Sequence, residues 1–395
     1  MEKLEKLFEP IKIGKIEIKN RIAYAPTHMS FCTENGLLTD QALCYYIARA
    51  RGGTGLIIVE VALPIDKYGR GIVRVLGCQS DSHLDGLRTL AESMRACGTK
   101  AVVQVTIGFG SQAIYPKNGK EVVGPSDVPT IIPTEGIPKA MNFGDKTVGQ
   151  TPRPLTIIEI EELEDAFVAG AERIKKAGFD GIELHGPHGY LLSQFLSPYN
   201  NKRTDQYGGS FEKRLTLPRN LLRKTRGQVG DKFLIGYRFS ADEHIEGGYN
   251  LEEGQRIAVE LEKAGADFLE ISSGRFEALK HTIPEKEGIM LEESRAIKQA
   301  VKVPVICPNI HDPRTAEQAL QEGQCDMVSL SRGLISDPDW ANKAEGGKFD
   351  EIKRCIFCYM CLKTVLNGFS VRCTVNPDVG RERFMPKYYP PPWRG

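Results

Sequence analysis

Eight short runs of aliphatic and β-branched residues recur along this chain, at 20–26, 55–61, 100–106, 180–186, 233–240, 266–273, 303–309 and 325–332, and helical periodicity follows them. Most are continuous apolar runs rather than alternations, the pattern of strands covered by helices on both faces. Two of them are entered through the same turn, Ala177-Gly178-Phe179-Asp180 and Ala264-Gly265-Ala266-Asp267, where a helix ends at glycine and a strand begins. Residues 165–177 carry apolar side chains at i, i+3 and i+4, which predicts an amphipathic helix. Eight strands with intervening helices is the count of an α/β chain folded as a (β/α)8 TIM barrel. A doubly wound sheet is the alternative, since strand order is not written in a sequence; the lack of a break between two halves favours the barrel.

Around this frame three segments stand apart. Residues 7–19 alternate and predict a hairpin closing the bottom of the barrel. Residues 107–155, rich in Gly, Pro and polar residues, predict a long loop after strand three that builds the active-site rim. The βα pattern stops after Trp340, so two units are expected: a barrel over 1–345 and a cysteine-bearing segment over 346–395 with a Pro-rich end at 389–393.

Charge is balanced, with Lys+Arg 52 against Asp+Glu 51, which argues against a bulk basic nucleic-acid binder. Hydrophobic residues at 41% and charged ones at 26% exclude a disordered chain. No apolar run approaches the roughly 20 residues of a membrane span. The opening MEKLEKLFEPIKIGK is too charged for a signal peptide, so a cytoplasmic protein without membrane or nucleic-acid partners is expected. Ten cysteines in that setting are expected as thiols or metal ligands.

Six of the cysteines are scattered, at 32, 44, 78, 97, 307 and 325. The other four crowd together as Cys355, Cys358 and Cys361 in CxxCxxC spacing, with Cys373 just before Asn376-Pro377. Four thiolates so spaced suit an iron–sulfur cluster or a tetrahedral zinc. Zinc more often takes two separated CxxC pairs, which favours iron and sulfur.

Barrel chemistry sits at the C-terminal ends of the strands. There the chain places Pro26-Thr27-His28, Gln104, His185-Gly186-Pro187-His188-Gly189-Tyr190, Arg238, Ser272-Ser273-Gly274, Asn309 and Ser331-Arg332-Gly333. Arg332 after strand eight suits a phosphate site. Arg238, inside a strand, needs an anionic partner, either a core carboxylate or the ring of an anionic cofactor. Gln104 could bond a ring carbonyl or a backbone group. His185 and His188 can clamp a carbonyl oxygen on which negative charge develops, and Tyr190 can deliver a proton. The lookalike Gly108-Phe109-Gly110-Ser111-Gln112-Ala113 matches GxGxxA, but no helix pattern follows it, so it is not read as a dinucleotide site.

These residues together resemble the Old Yellow Enzyme family of flavin-dependent reductases, and within it the iron–sulfur branch with 2,4-dienoyl-CoA reductase and trimethylamine dehydrogenase. The resemblance runs from about Leu7 to Asn376 through Asn20-Arg21, Ala25-Pro26, the segment 183–198, Arg203-Thr204-Asp205, Tyr207-Gly208-Gly209-Ser210, Arg238, Ser331-Arg332-Gly333, Asp337-Pro338 and the four cysteines. It implies FMN bound across the barrel mouth. Pro26, Thr27 and His28 would lie along the ring edge, Gln104 at its pyrimidine side and Arg238 near N1, with Ser331, Arg332 and the backbone around Asn309 on the phosphate. His185 and His188 would hold the substrate carbonyl, Tyr190 would be the proton donor, and Cys355, Cys358, Cys361 and Cys373 would ligate a [4Fe–4S] cluster.

The function so implied is an ene-reductase acting on an α,β-unsaturated carbonyl or acyl-CoA compound. Its reductant would be NAD(P)H, an electron-donor protein, or the FAD- and NAD-binding domains into which longer members continue. Members of the family also pair into homo-oligomers. Amine dehydrogenation and a non-catalytic electron-transfer subunit are the alternative readings. Three departures from the family pattern stand out. The arginine expected after Gln104 is missing in Thr106-Ile107-Gly108-Phe109, and a histidine expected after strand six is replaced by Phe276, with His281 the nearest candidate. CxxCxxC spacing is closer to the dehydrogenase branch.

Overall fold

All eight apolar runs form strands in the computed structural model, which describes residues 4–134 and 147–385. They are β1 (Ile22–Tyr24), β2 (Leu56–Leu63), β3 (Lys100–Val105), β4 (Gly181–His185), β5 (Leu234–Ser240), β6 (Phe268–Ser272), β7 (Val305–Pro308) and β8 (Met327–Leu330). From β2 to β8 each strand pairs in parallel with the next, and β1 pairs with both β8 and β2. The ring is therefore closed, which decides for the barrel over the doubly wound sheet. The Pro-rich end and part of the 107–155 loop lie outside the described residues.

Helices follow the strands in turn: α1 (Asp40–Arg51), α2 (Leu84–Ala96), α3 (Ile157–Lys176), α4 (Thr216–Val229), α5 (Leu251–Lys263), α6 (Leu291–Ala300), α7 (Pro313–Gln321) and α8 (Trp340–Glu345). Their starts are written locally. Thr156 and Glu159 close a reciprocal capping box on α3, Asn250 caps α5, and Asp312 caps α7 ahead of Pro313. The capping box starts α3 well before the 165–177 stretch that periodicity alone picks out. None of the helices among the described residues is long and apolar enough to cross a membrane.

The bottom of the barrel is sealed twice. Two strands, Ile11–Ile13 and Ile16–Ile18, form the expected antiparallel hairpin. Its Ile13 and Ile18 are fully buried in one cluster with Ala23, Leu56, Ile58, Val102, Leu234, Phe268, Ile306 and Met327. Each such aliphatic side chain contributes about 1.5–3 kcal/mol by leaving water. Gly236 makes room for Phe268, whose Cζ would lie 2.0 Å from a Cβ there.

The strand-entry aspartates form the second seal. Asp180 Oδ2 accepts from Ala101 N–H (2.9 Å), Asp267 Oδ2 from Ile235 N–H (2.8 Å) and Asp326 Oδ2 from Val305 N–H (2.9 Å), each clasping the neighbouring strand. Gly178 and Gly265 precede two of these entries at φ +91° and +108°, a region open to glycine.

Beyond α8 the cysteine segment folds back over the barrel and contributes Val365, Val371 and Val379 to the barrel's main apolar cluster. Arg49, fully buried, pairs with Glu382 Oε1 at 2.8 Å and also donates to the Tyr45 carbonyl. Val371 N–H bonds Met29 O, and Asn376 Nδ2 bonds Ile335 O. Among its described residues the segment carries one short α-helix, α9 (Met360–Leu366).

Candidate active site

At the C-terminal mouth of the barrel lies a cavity of about 270 Å³, lined by all eleven barrel residues singled out above: Pro26, Thr27, His28, Gln104, His185, His188, Tyr190, Arg238, Asn309, Ser331 and Arg332. Residues separated by some 300 positions meet because β1 lies beside β8, and Thr27 Oγ1 stands 2.7 Å from Ser331 Oγ. The cysteine segment completes one wall with Tyr359, Cys361, Leu362 and Val365.

His185 ends β4, and His188 and Tyr190 follow through a turn in which His188 has φ 67°. The two imidazole centroids are 5.7 Å apart, and the Tyr190 ring lies 5.1 Å from His185 and 6.4 Å from His188. His188 Nε2 is 2.6 Å from Ser272 Oγ, while His185 Nδ1 has no hydrogen-bond partner in the protein. Burial, reinforced by the Arg238 charge, lowers the His185 pKa to about 3 and holds that of His188 well below the usual range. Burial raises the Tyr190 phenol. At neutral pH the rim thus presents two uncharged imidazoles and a protonated phenol, groups that can donate hydrogen bonds and a proton without carrying charge.

Tyr190 is backed edge-on by Phe109 at 5.6 Å and Phe276 at 5.8 Å. His281 is not at this wall; it stacks on His244 at 3.8 Å, so Tyr190 has a phenyl neighbour where a histidine was sought. His28 lines the cavity, yet its ring nitrogens are already engaged: Nδ1 with Glu60 Oε2 at 2.7 Å, Nε2 with Val73 O at 3.0 Å. It can offer a ligand its ring surface but no free nitrogen.

Below the rim, Gln104 Nε2 donates to Glu183 Oε1 (2.7 Å) and Ser329 Oγ to Glu270 Oε1 (2.6 Å). Arg238 Nε approaches Glu270 Oε2 to 3.3 Å, an ion-pair distance without hydrogen-bond alignment, so both atoms stay unpaired. The core-carboxylate partner considered for Arg238 is therefore present. It does not exhaust the guanidinium.

At the opposite end Arg332 donates to Asn309 Oδ1 (3.0 Å) and Pro284 O (3.1 Å) while its Nη1 has no partner. Its guanidinium lies over the rings of Phe357 (4.7 Å) and Tyr359 (5.4 Å) of the cysteine segment. Asn309 holds φ 62°, and the neighbouring His311 is depressed to about 3 by burial and by the Arg332 charge. This end is cationic, with an unsatisfied donor.

An outer chamber of about 420 Å³ shares Ile72, Phe109, Tyr190, Phe276 and Leu366 with the inner cavity. The 107–155 loop supplies Ile114, Tyr115, Ile132 and Thr147 to it, as expected of a rim. At Gly110–Gln112 the GxGxxA lookalike makes a single 3-10 turn and no helix.

Cys355, Cys358, Cys361 and Cys373 are free thiols. Phe357 N–H bonds Cys355 Sγ at 3.4 Å, and the left-handed Phe357 and Tyr359 coil the CxxCxxC run. Among the described residues no group of three or more His, Cys, Asp or Glu side chains stands in a metal-holding arrangement. The donor set is present, and a formed cage is not.

Sequence reasoning overlooked Glu270 and His311 as neighbours of the site and gave Glu183 no role. The signal for the glutamates was available: an acid at the centre of an otherwise apolar strand, in Gly181–His185 and in Phe268–Ser272.

The chain is 40% identical over 382 residues to an NADH oxidase of Thermoanaerobacter brockii, covering 95% of this chain and 56% of that one. It is 33% identical over 402 residues to a cinnamate reductase of Clostridium sporogenes, covering 95% and 58%. A solved 2-naphthoyl-CoA reductase in complex with 2-naphthoyl-CoA superposes with a TM-score of 0.85 at 31% identity, over 98% of this chain and 59% of the other. The chain thus spans little more than half the length of these relatives. The resemblance read from the strand-end residues holds. With residues 6–351 matched, the chain belongs to the NADH:flavin oxidoreductase / NADH oxidase family.

Proposed function

We propose that this barrel binds FMN across its mouth and reduces the activated C=C bond of an α,β-unsaturated carbonyl or acyl-CoA compound. The observation that carries the reading is the convergence of His185, His188 and Tyr190 above Gln104 and Arg238 in one cavity. The unpaired buried atoms Arg332 Nη1, Arg238 Nε and His185 Nδ1 fit a polar, anionic cofactor, since each is a donor or acceptor that such a ligand would satisfy. FMN, when bound, supplies the hydride that the protein lacks.

The chain's own residues do the rest. Ser331, Arg332 and Asn309 take the phosphate, Gln104 and Arg238 the polar edge of the ring, and Pro26, Thr27 and His28 flank it. His185 and His188, uncharged, hydrogen-bond the substrate carbonyl oxygen and stabilise the charge that grows there. Tyr190 gives its phenolic proton to the α-carbon. Phe109 and Phe276 keep water from that proton. The apolar outer chamber suits an aryl or alkyl substituent, in keeping with the cinnamate and 2-naphthoyl-CoA named for two relatives.

Cys355, Cys358, Cys361 and Cys373 are proposed to hold a [4Fe–4S] cluster, because four thiols from one segment are its donor set. Cys361 also lines the FMN cavity, so electrons entering there would arrive beside the cofactor. In this reading 346–395 is an electron-entry unit laid on the barrel 1–345, serving a donor protein or FAD/NAD-binding domains; NAD(P)H acting directly on the barrel is the other route.

The test is an anaerobic visible spectrum of the purified chain with iron and acid-labile sulfide assays, followed by reoxidation of the dithionite-reduced protein. Flavin bands, about four irons per chain and reoxidation by cinnamate or an enoyl-CoA are the expected results. Bleaching by an N-methylated amine with no response to enoates would replace the reading with amine dehydrogenation. Reoxidation by no small molecule would leave an electron-transfer subunit, and a colourless protein would reject all three.

A further inference from the structure

Beneath the cavity floor lies a polar cluster that the reductase chemistry leaves idle. Glu183 of β4 and Glu270 of β6 have no exposed surface at all. Their strand neighbours Ile182, Leu184, Leu269 and Ile271 are equally buried, so the two acids sit in the interior without water. Each carboxyl has one oxygen satisfied, Glu183 Oε1 by Gln104 and Glu270 Oε1 by Ser329. The second oxygen of each, Oε2, has no donor. Among the described residues one guanidinium, that of Arg238, reaches this cluster.

Two ionised carboxylates here would leave two acceptors stranded and a net negative charge in the barrel interior, a costly arrangement away from water. A single proton removes both costs. Placed on one of the two carboxyls, which lie close enough to interact directly, it leaves one carboxylate to face one guanidinium. The remaining groups around the pair do not supply that balance: Gln104 and Ser329 are neutral, and His185 and His188 are held uncharged. In the same sense, burial first and the Glu270 charge second push the Glu183 carboxyl well above the usual carboxylate range.

We propose that Glu183 and Glu270 share one proton beneath the floor, so that Arg238 is balanced by a single negative charge, and that this balance sets how strongly Arg238 favours negative charge on the cofactor above it. The second half of the inference rests on the FMN reading; the first does not. Neither glutamate touches the cofactor; both act through Arg238, as positioning and tuning residues.

Two measurements test it. Infrared spectra of the protein without added cofactor at pH 7 should contain the carbonyl band of a buried protonated carboxyl, shifted on H/D exchange and lost in Glu183→Gln. A spectrum without that band would overturn the shared proton, whatever the cofactor. Potentiometric titration of the flavin-loaded protein then reads the charge. Glu183→Gln, neutral like the acid it replaces, should leave the midpoint potential at pH 7 close to that of the parent. Glu270→Gln leaves Glu183 as the one carboxylate facing Arg238 and should likewise keep that potential, whereas the double variant removes the charge and should move the potential positive. As pH rises through the loss of the shared proton, the parent's potential should fall below that of Glu183→Gln. A positive shift in both single variants at pH 7 would mean that each acid carries a full charge in the parent, and the proposal would be wrong. If the protein takes up no flavin, the functional reading fails while the infrared result still decides the pair; if Glu270→Gln does not fold, the Glu183→Gln pH series decides the tuning.

Discussion

The two ends of the barrel are built to opposite specifications. At the bottom, buried apolar side chains fill the space and Asp180, Asp267 and Asp326 each meet a backbone N–H of the next strand. At the mouth and just beneath its floor, His185 Nδ1, Arg238 Nε, Glu183 Oε2, Glu270 Oε2, His311 Nδ1 and Arg332 Nη1 all lack hydrogen-bond partners among the described residues. Buried polar atoms are normally paired, so a concentration of unpaired ones marks where the chain gives up stability to keep groups available. The lesson is a division of labour along the barrel axis: substitutions at the bottom should be felt as stability, those at the mouth and in the polar layer beneath it as chemistry.

Tyr190→Phe is the sharpest way to test that division. Loss of the proton donor should cut turnover of an enoate substrate by about 10²–10⁴-fold, with the melting temperature and the flavin spectrum unchanged; a parallel fall in melting temperature would blur the distinction. Phe268→Ala is its mirror image. Emptying the space beside Gly236 should cost about 3–5 kcal/mol in denaturant unfolding, while the folded fraction keeps a normal cofactor spectrum.

Acid should strike the mouth first. The folded state holds His185 near pKa 3, whereas an unfolded histidine titrates near 6.5, so between these values the unfolded chain binds the extra proton. The stability this group contributes is whole above pH 6.5 and is lost as pH falls towards 3. By pH 5 the loss should reach about 2 kcal/mol, and His185→Gln should flatten that part of the pH–stability curve measured by urea unfolding. An unchanged slope would show that the imidazole is solvated rather than buried. Smallest of all, Asp180→Ala should cost about 1 kcal/mol by stranding the Ala101 N–H, with no effect on substrate reduction; hydrogen exchange at Ala101 would locate the damage.

Much of this plan could be read from the chain because its causes are local. Strands buried on both faces are continuous apolar runs, and all eight runs became strands. His185, His188 and Tyr190 lie within six residues and share one turn, so their convergence needed no tertiary information. What could not be read depends on register across the barrel. Glu183 and Glu270 come together because β4 and β6, the two neighbours of β5, both turn these side chains into the barrel interior, and no spacing within either strand announces that. His28 looked like a ligand group from its place after β1, but Glu60 and the Val73 carbonyl occupy its nitrogens from elsewhere in the chain.

The closure of the ring through β1 carries a consequence for the order in which the molecule is made. β1 is synthesised some 300 residues before β8, the strand it pairs with. The hydrogen bond between Thr27 and Ser331 joins the same two ends across the cavity. On the ribosome the lower strands and their helices can collapse as they emerge, but the mouth has no eighth side until residue 330 is free. Uptake of a ligand by that mouth is therefore a signal that synthesis has passed β8, and a chain cut short before β8 would expose β1 as an unpaired edge instead of a binding site.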